Sequence, residues 1–278
     1  LTNIGLDFLF VLGFHWGVQG AAAATLIAQC LSAAYCIMKI RGVEVLRLTK
    51  EDWTFNGRLS VRLMKLGAPM AFQNTVIAVG GMILQTIVNG FGVAFIAGFT
   101  ATNKLYGVLE VAATSYGYAM STYSGQNLGA GKVRRISEGI RAGLAIAMIT
   151  SVIIAALMLV FGRLILSCFM PSEAGESVQA MDVAYRYLAI MSVCLPVLYI
   201  LHITRSCVQG LGNTVLPMAS GISEFFMRTG GALLLPLCMG ETGVMLAEVL
   251  AWAGADLILV PSYFYVMGKV RRALANQT

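Results

Sequence analysis

Oxygen-bearing side chains interrupt the first two apolar runs of the sequence. Asp7 lies in the first run, Asn3 stands four residues before it, and Thr25 lies in the second run. Residues four apart share one face of a helix. Carboxylate, amide and hydroxyl oxygens are hard ligands that suit sodium, and a carboxylate alone can carry a proton. The three residues are candidates for a cation site, although a polar cluster at a helix end in the membrane interface would have the same spacing.

A second set of ionisable residues lies in later apolar runs and consists of Lys104, Glu110, Glu224, Arg228, Glu248 and Asp256. A charge near the bilayer centre costs about 2.5–3.5 kcal/mol, so each needs a partner, a cavity or a proton. Glu224 and Arg228 are four residues apart and can neutralise one another on one helix. Lys104 could equally pair with Asp256 or Glu110. The same two carboxylates are alternative partners for Arg228. The set is either a buried ion-pair network or a site where one member binds a coupling ion or substrate.

The composition requires a membrane environment for these residues. Of 278 residues, 58% are hydrophobic and 12% are charged, whereas soluble domains carry about 25% charged residues. The apolar runs are continuous, which predicts helices and not a β-barrel. Because a bilayer needs roughly 20 apolar residues per helix, we predict an all-α polytopic protein with seven full spans and a short first segment. The predicted segments are Leu1–Leu12, Val18–Ile40, Leu66–Gly90, Phe91–Ser124, Glu138–Phe161, Val183–Cys207, Asn213–Met239 and Gly243–Met267.

The basic residues predict the orientation of these spans. The net charge is +6, and Lys and Arg cluster in alternate connections, at residues 39–65, 132–141 and 269–272. The intervening connections are poor in basic residues, which indicates that the basic loops and the C-terminus are cytoplasmic. We expect a multi-pass protein of the plasma membrane that binds no nucleic acid. Arg205, near the cytoplasmic end of its span, is expected to extend toward the interface.

An internal repeat predicts two equivalent lobes. Residues 17–28 and 240–251 share the pattern G-x-x-G-x-x-x-A-x-[LV]-[IL]-A, although small residues are common at packed membrane helices and can match by chance. A parallel repeat of six-helix lobes is a common transporter plan. The predicted regions are the end of a first lobe at 1–40, a cytoplasmic linker at 41–65, a second six-helix lobe at 66–268 and a cytoplasmic tail at 269–278.

The sequence lacks signatures of catalysis. It contains no H-E-x-x-H, no G-x-S-x-G and no pair of C-x-x-C motifs. Gly125–Lys132 resembles a phosphate loop, but Gln126 replaces its first glycine and Val133 replaces the Ser or Thr that binds magnesium. We interpret this segment as a flexible turn before a basic cytoplasmic stretch. We expect neither an enzyme nor nucleotide-driven transport.

Several segments resemble the multidrug and toxic compound extrusion (MATE) family. They are Asn3–Asp7, Gly20–Thr25, Leu66–Pro69, Gly125–Lys132 with Arg135, and Gln209–Gly212. The Gly-Gln-Asn-x-Gly-Ala stretch is the most specific of them, and the resemblance extends over essentially the whole chain. It implies a two-lobe helical bundle in which this chain supplies helices five to twelve, with the second lobe complete and two helices of the first. Since the sequence begins inside an apolar run without Met, we interpret it as N-terminally truncated and expect no transport by this chain alone.

The resemblance also implies a function. MATE proteins export organic cations or drugs by proton- or sodium-coupled antiport with alternating access, and need no cofactor. Many members place a cation site on an Asn and an Asp of helix five and a Thr of helix six, which match Asn3, Asp7 and Thr25. We therefore expect the lipid bilayer and small organic cations as partners of a monomer, and no metal other than sodium at these three residues.

One departure from the family lies in helix seven. Some members carry a glutamate midway along it, where this sequence is apolar around Ile77. A coupling site in the second lobe would then have to use Glu110, Glu224 or Asp256. The alternatives to an antiporter are a flippase of the same superfamily for lipid-linked sugars, which needs a broad basic cleft, and a non-transporting membrane scaffold.

Overall fold

The computed structural model describes residues 1–43, 54–169 and 176–275, and every regular element in these ranges is helical. The elements are α1 (Thr2–Asp7), a π-helical stretch (Phe8–Gly13), α2 (Gly17–Arg41), α3 (Gly57–Val88), α4 (Val93–Gly129), α5 (Val133–Ser167), α6 (Glu176–Val193), α7 (Leu195–Gly210), α8 (Val215–Leu234), α9 (Pro236–Met239) and α10 (Glu241–Ala275). The prediction of an all-α polytopic membrane protein is confirmed.

The chain divides into two compact units, Leu1–Ser60 (unit 1) and Val61–Thr278 (unit 2). Residues 44–53 of the predicted linker and 276–278 of the predicted tail lie outside the described residues. Helix α3 begins at Gly57, inside the predicted linker and before the predicted start at Leu66. The side chain of Asn56 explains this earlier start, because its Oδ1 accepts a hydrogen bond from the Leu59 N–H at 3.1 Å and so caps the first turn. The predicted lobe boundaries themselves stay a prediction.

The two copies of the sequence repeat share one local backbone geometry. Gly17 and Gly240, the first glycines of the copies, have φ of 52° and 57°, which favours glycine. The second glycines lie close to the preceding turn: a Cβ on Gly20 would lie 3.1 Å from the backbone of Phe10, and one on Gly243 would lie 2.5 Å from the backbone of Leu235. The repeated glycines therefore let α2 and α10 each begin against the end of the helix before it.

Helix α4 lies at the centre of unit 2. It packs against α5, α6 and α7, while α10 packs against α8 and α7. The largest fully buried side chains include Trp252, Tyr187 and Tyr199, and Tyr187 stacks on Phe99 of α4 with 4.6 Å between ring centroids. A Cβ on Gly98 would clash with the backbone carbonyl of Ala180, so this glycine allows the close approach of α4 and α6.

Two predicted spans are broken where prolines follow. Val183–Cys207 was expected to be one helix, but α6 and α7 meet at 51°, with Pro196 in the first turn of α7. Asn213–Met239 likewise ends its long helix at Leu234 and resumes as α9 at Pro236. Proline lacks the N–H that continues the hydrogen-bond ladder, which accounts for a break at each position.

The Gly125–Lys132 segment is not a flexible turn as predicted. Its first five residues form the last turns of α4, which ends at Gly129. Asn127 is buried and donates from Nδ2 to the Tyr123 carbonyl at 2.8 Å. The chain turns only at Gly131, whose φ is +69°.

Only some helices of the described residues are identified as membrane spans by their length and composition. Four are long and apolar enough, α2, α3, α5 and α10, and the bent pair α6–α7 makes a fifth if it is one span. This is fewer than the seven predicted spans. Helices α4 and α8 are not among the four, and both bury polar side chains, such as Thr102 and Ser124 on α4 and Glu224 and Arg228 on α8. The outer face of α5 is apolar and exposed at Ile149, Val160 and Leu164, as expected for a surface in contact with lipid.

Candidate functional site

Unit 1 brings together the oxygen-bearing residues of its two helices. Asn3 of α1 donates from Nδ2 to Thr25 Oγ1 of α2 at 3.3 Å. The Thr25 hydroxyl donates in turn to the Ala21 carbonyl at 3.0 Å. Because Asn3 uses its amide nitrogen as the donor, its carbonyl oxygen remains available as a ligand.

Asp7 lies near Thr25, and neither Asn3 nor Thr25 donates a hydrogen bond to its Oδ1. Its Oδ1 is buried and has no hydrogen-bond partner in the described part of the chain. Asp7 and Thr25 line one cavity of about 460 Å³, whose other walls are apolar side chains such as Ile4 and Val11. An unsatisfied buried carboxylate oxygen is costly unless a proton or cation occupies it, so the geometry fits a small cation held by Asp7, Asn3 and Thr25.

A four-residue ion-pair network, formed by Arg205, Glu224, Arg228 and Glu248, lies inside unit 2. Arg228 of α8 donates to both carboxylate oxygens of Glu248 on α10, at 2.9 and 2.7 Å. Its Nη2 also donates to Glu224 Oε1 at 3.0 Å. The second oxygen of Glu224 accepts a hydrogen bond from Arg205 Nη2 of α7 at 2.6 Å. These side chains are only 6–12% exposed, and the two cations balance the two carboxylates.

Helix α3 supports the network with its backbone and not with a carboxylate. Arg228 Nη1 donates to the carbonyl of Ile77 at 3.2 Å. A Cβ on Gly80 would lie 3.6 Å from Arg228 Nη1 and 3.1 Å from Phe225, so the absence of a side chain there lets α8 approach. The apolar stretch around Ile77 thus presents a carbonyl oxygen to the guanidinium.

The network forms one wall of a cavity of about 430 Å³ in unit 2. Three carboxylates and two guanidinium groups line this cavity, together with His202, three side-chain amides and an aromatic wall. The charged members are Glu110, Glu224, Glu248, Arg205 and Arg228, the amides are Asn74, Gln85 and Asn103, and the aromatic residues are Phe99, Tyr106 and Trp252. With neutral His202 the lining carries one net negative charge.

Glu110 supplies that unbalanced charge. Its only ionic neighbour in the described residues is His202, whose Nε2 lies 3.6 Å from Oε1, too far for a strong hydrogen bond. Its side chain is 39% exposed, unlike the enclosed carboxylates of the network. Beside it, Tyr106 and Trp252 stack with 5.7 Å between ring centroids. The cavity therefore offers a free carboxylate next to an aromatic wall.

The structure gathers four of the six predicted ionisable residues and leaves two apart. Glu110, Glu224, Arg228 and Glu248 line the cavity, whereas Lys104 is exposed and joins no ion pair among the described residues. Asp256 does not line the cavity, and its buried Oδ1 has no hydrogen-bond partner within residues 1–43, 54–169 and 176–275. Of the pairings that the sequence left open, the structure shows Arg228 with Glu224 and with Glu248 of α10, and shows no ion pair of Lys104 or Arg228 with Asp256 or Glu110 among the described residues.

Sequence reasoning misjudged two residues of α7. Arg205 was expected to extend toward the interface, but it lies inside and binds Glu224. His202 was given no role, yet it lines the same cavity. Their spacing of three residues places them on one helical face. A polar pair on one face of an otherwise apolar span is a signal that could have identified both.

The fold and the cavity define the class of this molecule: an all-α, polytopic membrane protein with a charged cavity enclosed by its helices. The family model described as MatE matches residues 69–231, which is more than half of the chain. The chain belongs to this family.

Individual relatives agree with this assignment. Probable multidrug resistance protein YpnP of Bacillus subtilis is 25% identical over 250 residues, 88% of this chain and 54% of that protein. Probable multidrug resistance protein YoeA of the same organism is 24% identical over 198 residues, 68% of this chain and 42% of that protein. A solved outward-facing structure of a multidrug resistance MATE family transporter of the MOP superfamily has a TM-score of 0.84 and 19% identity, over 98% of this chain and 60% of that chain. The chain thus spans about half the length of the curated relatives it matches.

Proposed function

We propose that this protein acts in secondary active efflux of organic cations, driven by a proton or sodium gradient through alternating access. The observation that carries the proposal is the unit 2 cavity, in which Glu110 leaves one net negative charge beside Tyr106 and Trp252. A carboxylate and aromatic faces together attract organic cations, by charge and by cation–π contact. The names of its relatives, probable multidrug resistance proteins, support the same class.

The two kinds of carboxylate in the cavity have different roles in this proposal. Glu224 and Glu248 are held by guanidinium groups at 2.6–3.0 Å and shape the wall. Glu110 has no guanidinium partner in the part of the chain that the structure describes, and it meets the substrate. A pyrophosphate-bearing lipid-linked sugar would need an excess of basic residues, so the net charge disfavours the flippase alternative.

The coupling ion, a proton or sodium, would bind in unit 1. Asp7 carries the buried, unpartnered oxygen, and Asn3 and Thr25 add an amide and a hydroxyl. The protein would act as a monomer in the plasma membrane, with its basic loops and C-terminus in the cytoplasm, and without a cofactor or nucleotide.

Binding of a fluorescent organic cation to the purified chain tests the cavity directly. Glu110→Gln is expected to weaken binding about tenfold, which corresponds to about 1.4 kcal/mol for the loss of one half-exposed charge contact. Glu138→Gln is the matched control, because Glu138 is 57% exposed and lies outside the cavity. Equal binding by wild type and Glu110→Gln would overturn the assignment of the substrate site.

Transport by the intact protein tests the wider proposal. In proteoliposomes with an imposed proton or sodium gradient, export of the fluorescent cation should exceed export without a gradient. A lipid-linked sugar should not be moved. Movement of the sugar without movement of the cation would support the flippase instead.

A further inference from the structure

A second cavity in unit 2 lies at the basic ends of α5 and α10. Both helices pack against α7, and a cleft of about 530 Å³ separates them. Arg271 of α10 bridges the cleft, donating from Nη2 to Ser137 Oγ of α5 at 2.9 Å. Neither this cleft nor its residues belongs to the substrate or coupling sites proposed above.

Two guanidinium groups in the cleft lack acidic partners. Arg141 and Arg271 both line it, and neither forms an ion pair with a carboxylate anywhere in the residues that the structure describes. Glu138 lies near them and lines an adjoining cavity with the same two arginines, but its carboxylate is held by Arg134 at 2.7 Å. The cleft therefore presents two positive charges that have no carboxylate partner among the described residues, and three hydroxyls, those of Ser137, Thr204 and Tyr263.

Apart from its arginines and hydroxyl-bearing side chains, the cleft is lined by apolar residues and reaches the exposed face of α10. Leu144, Ile200 and Val260 form its walls. Phe264 also lines it, and its side chain is 68% exposed on the face of α10. A water-soluble anion would contact the arginines but leave these walls uncovered, whereas a lipid would cover both.

We propose that this cleft binds an anionic phospholipid. The phosphate is bound by Arg141 and Arg271, since guanidinium groups donate charge-assisted hydrogen bonds to phosphate oxygens. The Ser137 hydroxyl adds a further hydrogen-bond donor to the phosphate, and an acyl chain lies along Leu144 and Phe264. Basic pockets between membrane helices on the cytoplasmic side suit anionic head groups, and a lipid there adds contacts between α5 and α10 to the hydrogen bond from Arg271 to Ser137.

Lipid titration of the delipidated, purified full chain, followed by native mass spectrometry, tests this site. Phosphatidylglycerol is expected to bind at least about tenfold more tightly than phosphatidylcholine of the same chain length. Arg141→Gln/Arg271→Gln should abolish that preference. The matched control is Arg135→Gln/Arg272→Gln, which removes the same charge from the same two helices at positions outside the cleft. It should retain the preference within about twofold.

Three outcomes would overturn the proposal. The first is equal binding of the two lipids by the wild-type chain, a measurement that needs no variant to fold. The second is an equal loss of preference in both double variants, which would indicate non-specific attraction to the basic end. The third is competition by inorganic phosphate or glycerophosphoglycerol as effective as by the whole lipid, which would indicate a soluble anion.

Discussion

The ion-pair network of unit 2 predicts a large stability difference between two double variants of equal charge. In Arg228→Gln/Glu248→Gln, the pair between Arg205 and Glu224 remains, with 2.6 Å between its atoms. In Arg228→Gln/Glu224→Gln, Arg205 and Glu248 both lose the ionic partners that the structure gives them. If Glu224 and Arg228 of α8 paired only with each other, Arg228→Gln/Glu224→Gln would be the more stable double variant, because it removes both members of that pair.

The magnitude follows from burial. Removing one partner of a buried ion pair costs about 3–5 kcal/mol, because the other charge is left uncompensated. Arg228→Gln alone leaves Glu248 in that state, with its side chain 12% exposed. Adding Glu248→Gln removes the stranded charge and should recover most of that free energy of unfolding, whereas adding Glu224→Gln strands Arg205 as well. We expect the two doubles to differ by at least about 3 kcal/mol, or roughly 6–12 °C in Tm.

Thermal unfolding in detergent measures this difference. Cys207 is fully buried, so a maleimide dye should react with it only on unfolding, in a background where the five other cysteines are replaced by alanine. Arg228→Gln/Glu248→Gln, which keeps the pair between Arg205 and Glu224, should have the higher Tm. Equal Tm values, or a higher Tm for Arg228→Gln/Glu224→Gln, would refute the shared-network reasoning.

Two further predictions concern the coupling site and the packing of α4. Asp7→Asn in the intact protein should abolish gradient-driven efflux without lowering Tm, since Oδ1 forms no hydrogen bond with any residue that the structure describes; undiminished efflux would remove Asp7 from the mechanism. Gly98→Ala should destabilise by about 1–3 kcal/mol, because its Cβ would clash with the Ala180 carbonyl. Gly107→Ala, on the same helix with nothing within 4 Å, should be neutral or stabilising by up to about 1 kcal/mol, and equal Tm shifts for the two would contradict the close approach of α4 and α6.

The sequence predicted the local features of both sites. Asn3 and Asp7 are one helical turn apart, and Thr25 follows on the next helix, so the hairpin of α1 and α2 brings Asn3 to within hydrogen-bond distance of Thr25. Glu224 and Arg228 likewise pair at 3.0 Å on one helix, because residues four apart are neighbours on its surface. These relations depend only on helix geometry, which short-range spacing determines.

Relations between helices required the tertiary structure. Arg228 binds Glu248 and not Asp256, and Arg205 binds Glu224, because of how α7, α8 and α10 pack against one another. Composition by itself determined that the chain is a helical membrane protein, since so few charged residues cannot cover a water-facing surface. The packing of the helices determines which of its charges pair, because those contacts join residues far apart in the chain. It also determines that, among the cavity's carboxylates, Glu110 alone lacks a guanidinium partner in the described residues.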